Sequence, residues 1–506
     1  MKFKRSSGIL LHPTSLPGPN GIGDIGPGAH AWVDFLSKSG CGLWQVLPLG
    51  PTGYADSPYQ SFSAFAGNPY LISPQTLLEE GLLHPDDLVD QPDLPEDRVD
   101  YGRMIPWKLT LLDRAYERFQ VLSSPFLKSA YSEFIEAQAH WLDDFALFMA
   151  LKEAHDSAPW STWETALRSR QKVALEKAKA RLSDMIQRQN FRQFLFFRQW
   201  SSLRQHASRE GIRLIGDIPI FVAHDSADVW ANPELFYMKK NGMPKVVAGV
   251  PPDYFSPTGQ LWGNPLYRWE IHTASGYQWW LDRIKATLGF VDIIRIDHFR
   301  GFAGYWEVPG KAKTAENGRW VPGPGVNFFQ AILNSLGDLP ILAEDLGVIT
   351  PDVEAMREQF NLPGMKVLLF AFSVDPANPF LPHHYPANCV VYTGTHDNDT
   401  SLGWFQKASP DEQRFLRRYL NIRGESVSWE IIRTAWASVA TFALAPLQDF
   451  LELDNTARMN YPGNPSGNWT WRMRGDALTE DLYERIRELN YLYSREKTPS
   501  LACSMS

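Results

Sequence analysis

Residues 290–301, FVDIIRIDHFRG, carry an arginine and an aspartate two positions apart inside a run of β-branched apolar residues, and the run then stops. In a strand successive side chains point to opposite faces, so Arg295 and Asp297 share one face and Ile294 and Ile296 the other. If the strand is central, a charged pair is aimed at an interior. Such a pair is either a costly structural choice or a site.

The same pattern, a short apolar strand ending in polar or glycine-rich residues, recurs along the chain. The other candidates are SGILLHP (7–13), LWQVLPLG (43–50), IRLIGDIPIF (212–221), LPILAED (339–345), MKVLLFAF (365–372), CVVYTGTHD (389–397) and ATFALAPLQDF (440–450). With VDIIRID (291–297) they make eight. Helical periodicity fills several intervals: Trp32, Val33 and Leu36 form one stripe before Gly40, and Phe191, Phe194 and Leu195 form another. The segments 276–289 and 327–337 follow the same rule, as does 350–360, where Thr350-Pro351 is a helix start. Strands alternating with helices predict a parallel α/β sheet, and eight of them predict a (β/α)8 TIM barrel.

The spacing is uneven. The reading is one barrel over 1–506 with an insertion subdomain at 51–185 after the second strand, a second insertion at 222–275 after the third, and another at 300–325 after the fourth. Tyr131, Phe134, Ile135, Leu142, Phe145 and Met149 keep one inserted helix amphipathic. All three insertions leave the C-terminal ends of strands, where a barrel builds its active site. Loops this long without a role are uncommon.

Composition narrows the class. The chain has 506 residues, a net charge of −8 and no basic cluster, which argues against nucleic acid or an anionic membrane as partner. Three cysteines, Cys41, Cys389 and Cys503, are too sparse for a disulfide scaffold and read as buried thiols. The apolar run after the basic start ends at His12-Pro13, too short for a signal peptide, and no run approaches the ~20 residues of a membrane span. A cytoplasmic location is expected. The 19 Trp, 18 Tyr and 29 Phe fit either a large core or rings that line a groove and stack on sugars.

Three acids then fall on one rim: Asp297 ends the fourth strand, Glu344 the fifth, and Asp397 follows the seventh. Neighbouring strands lie about 4.8 Å apart, so the first two carboxylates can come within the roughly 5 Å of a retaining glycosidase pair. Arg295 beside Asp297 is expected to lower the pKa of a nucleophile. Glu344 is the expected proton donor, its pKa raised by partial burial and a negative neighbour. Each signal has a plainer reading: a structural Arg–Asp pair, an acidic turn at AED, a loop hydrogen bond at His396-Asp397. Other chemistries fit less well. There is no H-x-H or H-E-x-x-H metal motif, no phosphate loop and no nucleophile elbow, and His383-His384 sits in a polar, proline-flanked loop.

GILLHPTSLPGPNGIGDIG, SPYQSFSAFAGNPYL, GDIPIFVAHDSADVWANPELF, VAGVPPDYFSPTGQLWGNP, IRIDHFRGF, AEDLG and THDN, in this order over nearly the whole chain, resemble the successive motifs of 4-α-glucanotransferases (amylomaltases, or disproportionating enzymes) of the α-amylase superfamily. The resemblance implies Asp297 as nucleophile, Glu344 as acid/base and Asp397 as transition-state stabiliser. It makes Arg295, His396, Tyr59, Asp253, Trp262, Asp217, Phe370 and Asn468 substrate-binding residues, with Tyr59 stacking on the donor sugar and Phe370 open to a core role. It implies no metal and no cofactor, and maltooligosaccharides and α-1,4-glucans as substrates. The segment 451–506 reads as a closing helix rather than the C-terminal β-domain of many α-amylases, and with the first strand almost at the start no N-terminal carbohydrate-binding region like that of some relatives is expected.

The function expected is retaining transfer of α-1,4-glucan segments to the 4-OH of an acceptor. An α-glucan hydrolase uses the same acids, and a non-catalytic glucan-binding scaffold is the alternative of another class. VPPDYFSPTGQLWG (250–263), with Tyr254, Phe255 and Trp262, has the composition of an aromatic lid that favours a sugar acceptor over water. Oligomeric state is not legible.

Overall fold

The computed structural model describes residues 3–122, 124–252, 256–422, 426–464 and 466–497. Twelve strands lie among them: β1 (Ser6–Leu10), β2 (Leu43–Val46), β3 (Arg213–Pro219), β4 (Val246–Val250), β5 (Gln260–Pro265), β6 (Ile293–Asp297), β7 (Gly304–Pro309), β8 (Arg319–Pro322), β9 (Ile341–Ala343), β10 (Gly364–Val367), β11 (Cys389–Tyr392) and β12 (Phe442–Pro446). Eight of these run parallel in the order β10-β11-β12-β1-β2-β3-β6-β9, and they are the eight expected strands. At the seam the Ala343 N–H donates to the Pro363 carbonyl at 2.9 Å, and the Met365 N–H donates to Asp345 at 2.6 Å. The chain is a TIM barrel.

The strands read as near-continuous apolar runs because barrel interior covers one face and helices the other. Close approach is built in at Gly8, where a Cβ would stand 2.3 Å from the Leu43 carbonyl oxygen of the neighbouring strand. The helix Pro27–Lys38 buries Trp32, Val33 and Leu36 and gives way to Gly40, whose φ of +72° suits glycine. At the far end of the chain the helix Glu480–Leu492 docks beside it, with Asn490 donating to the Ser39 carbonyl at 2.7 Å. Most of the tryptophans are buried, so the aromatic content serves the core first. Cys41 and Cys389 are buried thiols, and Cys503 lies outside the described residues.

Between β2 and β3 the chain forms the helices Tyr101–Leu122, Pro125–Ala154, Lys172–Arg181 and Ser183–Arg209. The boundary expected at residue 185 falls inside the last of these: one 27-residue helix belongs to the insertion at its start and packs on β3 at its end. The extra strands after β3 and β6 lie within the segments 222–275 and 300–325, which come together in space. They pair into one antiparallel sheet, β5-β4-β7-β8, with Val247 opposite Val308 and Trp306 opposite Trp320. Its Trp262 and Tyr305 meet Phe221, just past β3, at ring distances of 6.4 and 6.3 Å, which seats the sheet on the barrel mouth. Among the described residues no helix is long and apolar enough to cross a membrane.

Candidate active site

Arg295 and Asp297 do share the inner face of β6, but Asp297 is not the arginine's closest partner. Arg295 Nη1 lies 2.6 Å from Asp217 Oδ2 and 3.2 Å from Asp297 Oδ1. The pairing of β3 with β6 sets Asp217 beside Arg295, and the Asp217 side chain is fully buried. Tyr59 Oη also donates to Asp217 Oδ2, at 2.6 Å. Gln45 Nε2 donates to Asp217 Oδ1 at 3.4 Å, and Tyr392 Oη donates to Gln45 Oε1 at 2.7 Å. Asp217, read from the resemblance as substrate-binding, is thus spent on neighbouring side chains beneath the cleft.

Glu344 follows β9 where Asp297 ends β6. Their strands pair Ile296 with Ala343, and the Glu344 N–H continues the ladder to the Ile296 carbonyl at 3.0 Å. The next positions, Asp297 and Glu344, therefore stand on adjacent strand ends, a lateral step of about 4.8 Å. Two backbone donors orient the Glu344 carboxylate: the His298 N–H at 2.7 Å to Oε2 and the Leu346 N–H at 2.9 Å to Oε1. His298 reaches that position in the left-handed region at φ 53°, a strained conformation for a non-glycine residue directly after Asp297.

Burial pushes the Glu344 carboxyl up to about 7; negative Asp297 adds to the rise, while Arg295 and the two N–H donors oppose it. Asp297 departs from expectation. Burial raises its pKa too, with Asp217 and Asp397 acting in the same direction, and Arg295 and His396 pulling it down. The arginine's charge is shared with a closer, fully buried carboxylate, so it is not enough to hold Asp297 below the ordinary range.

Asp397 lies at the open side of the rim with its side chain 45 % exposed. Asn460 donates to its Oδ1 at 2.6 Å, and His396 Nε2 stands 3.3 Å from the same atom. The Tyr59 ring stacks on His396 at 5.0 Å and 16°, so one of its faces is already covered, and Trp469 leans on both rings at 5.9 and 5.7 Å. Asn460 and His298 were not among the residues singled out in the sequence. His298 lay inside a quoted motif, whereas Asn460, in the loop after β12, carries no local signal.

The remaining candidates separate. Trp262 stands edge-on to His298 at 4.7 Å, beside the acids, but on strand β5 rather than in a lid loop. Asp253, with Tyr254 and Phe255, lies outside the described residues. Phe370 is 39 % exposed in the turn after β10, with its ring against Phe380, and is not core. Asn468 does not reach the acids: it accepts from the Tyr461 N–H and donates to the Asn464 carbonyl, both at 2.9 Å, bracing its own loop.

A barrel rim with a carboxyl protonated near neutrality beside a second carboxylate is equipped to protonate a leaving oxygen while the neighbour attacks. A family model described as 4-alpha-glucanotransferase matches residues 11–479. The 4-alpha-glucanotransferase of Thermus thermophilus is 52 % identical over 497 residues, 97 % of this chain and 99 % of the relative. That of Synechocystis is 52 % identical over 499 residues, 98 % of this chain and 99 % of the relative. The amylomaltase of Streptococcus agalactiae, solved in complex with acarbose, superposes with a TM-score of 0.95 at 39 % identity, covering 97 % of this chain and all of the other. The chain belongs to the 4-alpha-glucanotransferase family.

Proposed function

We propose that the chain moves α-1,4-glucan segments between maltooligosaccharides with retention, through a glucosyl ester on Asp297. Glu344, neutral below about pH 7, gives its proton to the glycosidic oxygen as Asp297 attacks C1 and the leaving segment departs. Glu344, now ionised, takes the proton of an acceptor 4-OH, whose oxygen attacks C1 and frees Asp297. Asp397, held by Asn460, accepts hydrogen bonds from sugar hydroxyls as the ring flattens. Arg295 keeps Asp297 in place and partly neutralised. The complex of the Streptococcus agalactiae relative with acarbose supports a saccharide in this cleft.

The observation that carries the reading is the register that sets Glu344 beside Asp297, with burial holding the first as the acid. On maltotriose, transfer yields glucose and longer chains at constant total reducing ends. A steady rise in reducing ends would assign hydrolysis instead. Asp297→Asn is expected to lower turnover by at least ~10³-fold while leaving the fold and glucan binding intact. Unchanged product formation by this variant would show that the roles are misassigned.

A further inference from the structure

Of the 19 tryptophans, all of them described, Trp320 alone is exposed, at 43 %. It stands on β8, the edge strand of the small sheet, directly opposite Trp306 in the β7–β8 register, and the two rings meet edge to face at 5.3 Å. The Arg300 guanidinium covers one face of the indole, 3.9 Å from the ring centroid. Arg300 is itself buried. Its Nη1 donates to the Val348 carbonyl at 2.5 Å and its Nε to the Gly304 carbonyl at 3.4 Å. Val348, 60 % exposed, belongs to the loop whose Leu346 N–H orients the Glu344 carboxylate. One side chain therefore ties the exposed indole to the proton-donor side of the cleft, the side from which a leaving segment departs and an acceptor enters.

A large aromatic ring left partly in water but clamped by a cation on one face is rigid, and it offers its exposed surface at little further entropic cost. The exposed aromatic surface is one ring. That is the size of a sugar, not of a protein interface, which covers roughly 800 Å² per partner. Continuity with the Glu344 loop selects the occupant. We propose that Trp320 is a stacking platform for a distal glucose unit of an α-1,4-glucan whose reacting linkage lies at Asp297 and Glu344. It favours long chains over short ones. This rests on the α-glucan reading of the cleft.

Trp320→Ala and Trp320→Phe are compared with the parent on maltotriose and on amylose. Amylose binding is measured separately in the Asp297→Asn background by affinity electrophoresis. For Trp320→Ala, kcat/KM on amylose is expected to fall about fivefold or more through KM, with maltotriose within about twofold. Phenylalanine restores most of the loss, and the amylose-binding defect persists without turnover. Equal losses on both donors would overturn the proposal, showing that the indole only supports Arg300 and the Glu344 loop. So would undiminished amylose binding. Failure of the parent itself to transfer from either donor would instead overturn the functional reading above.

Discussion

Replacing Glu344 by glutamine should make the protein gain stability relative to the parent as pH rises, while turnover is lost. The folded carboxyl titrates at about 7 against 4.5 for the ordinary group. Because the folded value is the higher, the native state still holds the proton where the unfolded chain has released it. The parent's stabilisation is complete below about pH 4.5 and is lost as pH climbs through about 7. At about 1.4 kcal/mol per pH unit the whole effect is roughly 3 kcal/mol, most of it between pH 5 and 8.5. The amide has its own cost, since its NH₂ must face one of the two N–H donors from His298 and Leu346, about 1–3 kcal/mol. That cost does not vary with pH, so the pH dependence of the difference isolates the titration. At ~2.1 cal/mol/K per residue, a chain of 506 residues changes Tm by about 1 °C per kcal/mol. Melts of parent and variant at one fixed scan rate, from pH 5 to 8.5, should show the difference in Tm move by about 2–3 °C in the variant's favour. A difference that stays constant across that range would refute a burial-raised acid at Glu344.

Tyr59→Phe removes a 2.6 Å donor from Asp217, leaving that carboxylate to draw Arg295 further from Asp297. The acidic limb of kcat/KM for the donor should move to higher pH, with a stability loss of about 2 kcal/mol; an unmoved limb would show that Asp217 does not share the arginine's charge. Gly8→Ala sets a methyl 2.3 Å from the Leu43 carbonyl oxygen in the barrel wall, and should lower stability by about 3 kcal/mol or leave the protein insoluble. A melt within about 1 °C of the parent would mean that β1 and β2 separate freely.

The barrel was legible because each of its strands is a local apolar run with a polar end. A strand buried on both faces needs no partner to be recognised, so the segments around Ile9, Trp44, Ile294 and Val391 declared themselves. The acids were legible for the same reason: Asp297 and Glu344 sit where such runs stop, and strand ends of a barrel share one rim. The small sheet was not. The pairing of 246–250 with 304–309 joins segments on either side of β6, and the hydrogen bonds between them leave no periodic mark in either. The helix Ser183–Arg209 likewise crosses an expected boundary, because one uninterrupted helix of 27 residues runs from the insertion to β3.

What the amino-acid order determined by itself was which residues end strands, which faces they occupy and which motifs place the chain among α-glucan enzymes. What only the tertiary structure decided was how charge is divided. Whether Arg295 serves Asp297 or Asp217 depends on a 2.6 Å against a 3.2 Å approach, set by the register of β3 on β6. Coulomb energy and desolvation vary over ångströms and with the surrounding dielectric. Distances between strands, unlike the alternation within one, are not written along the chain.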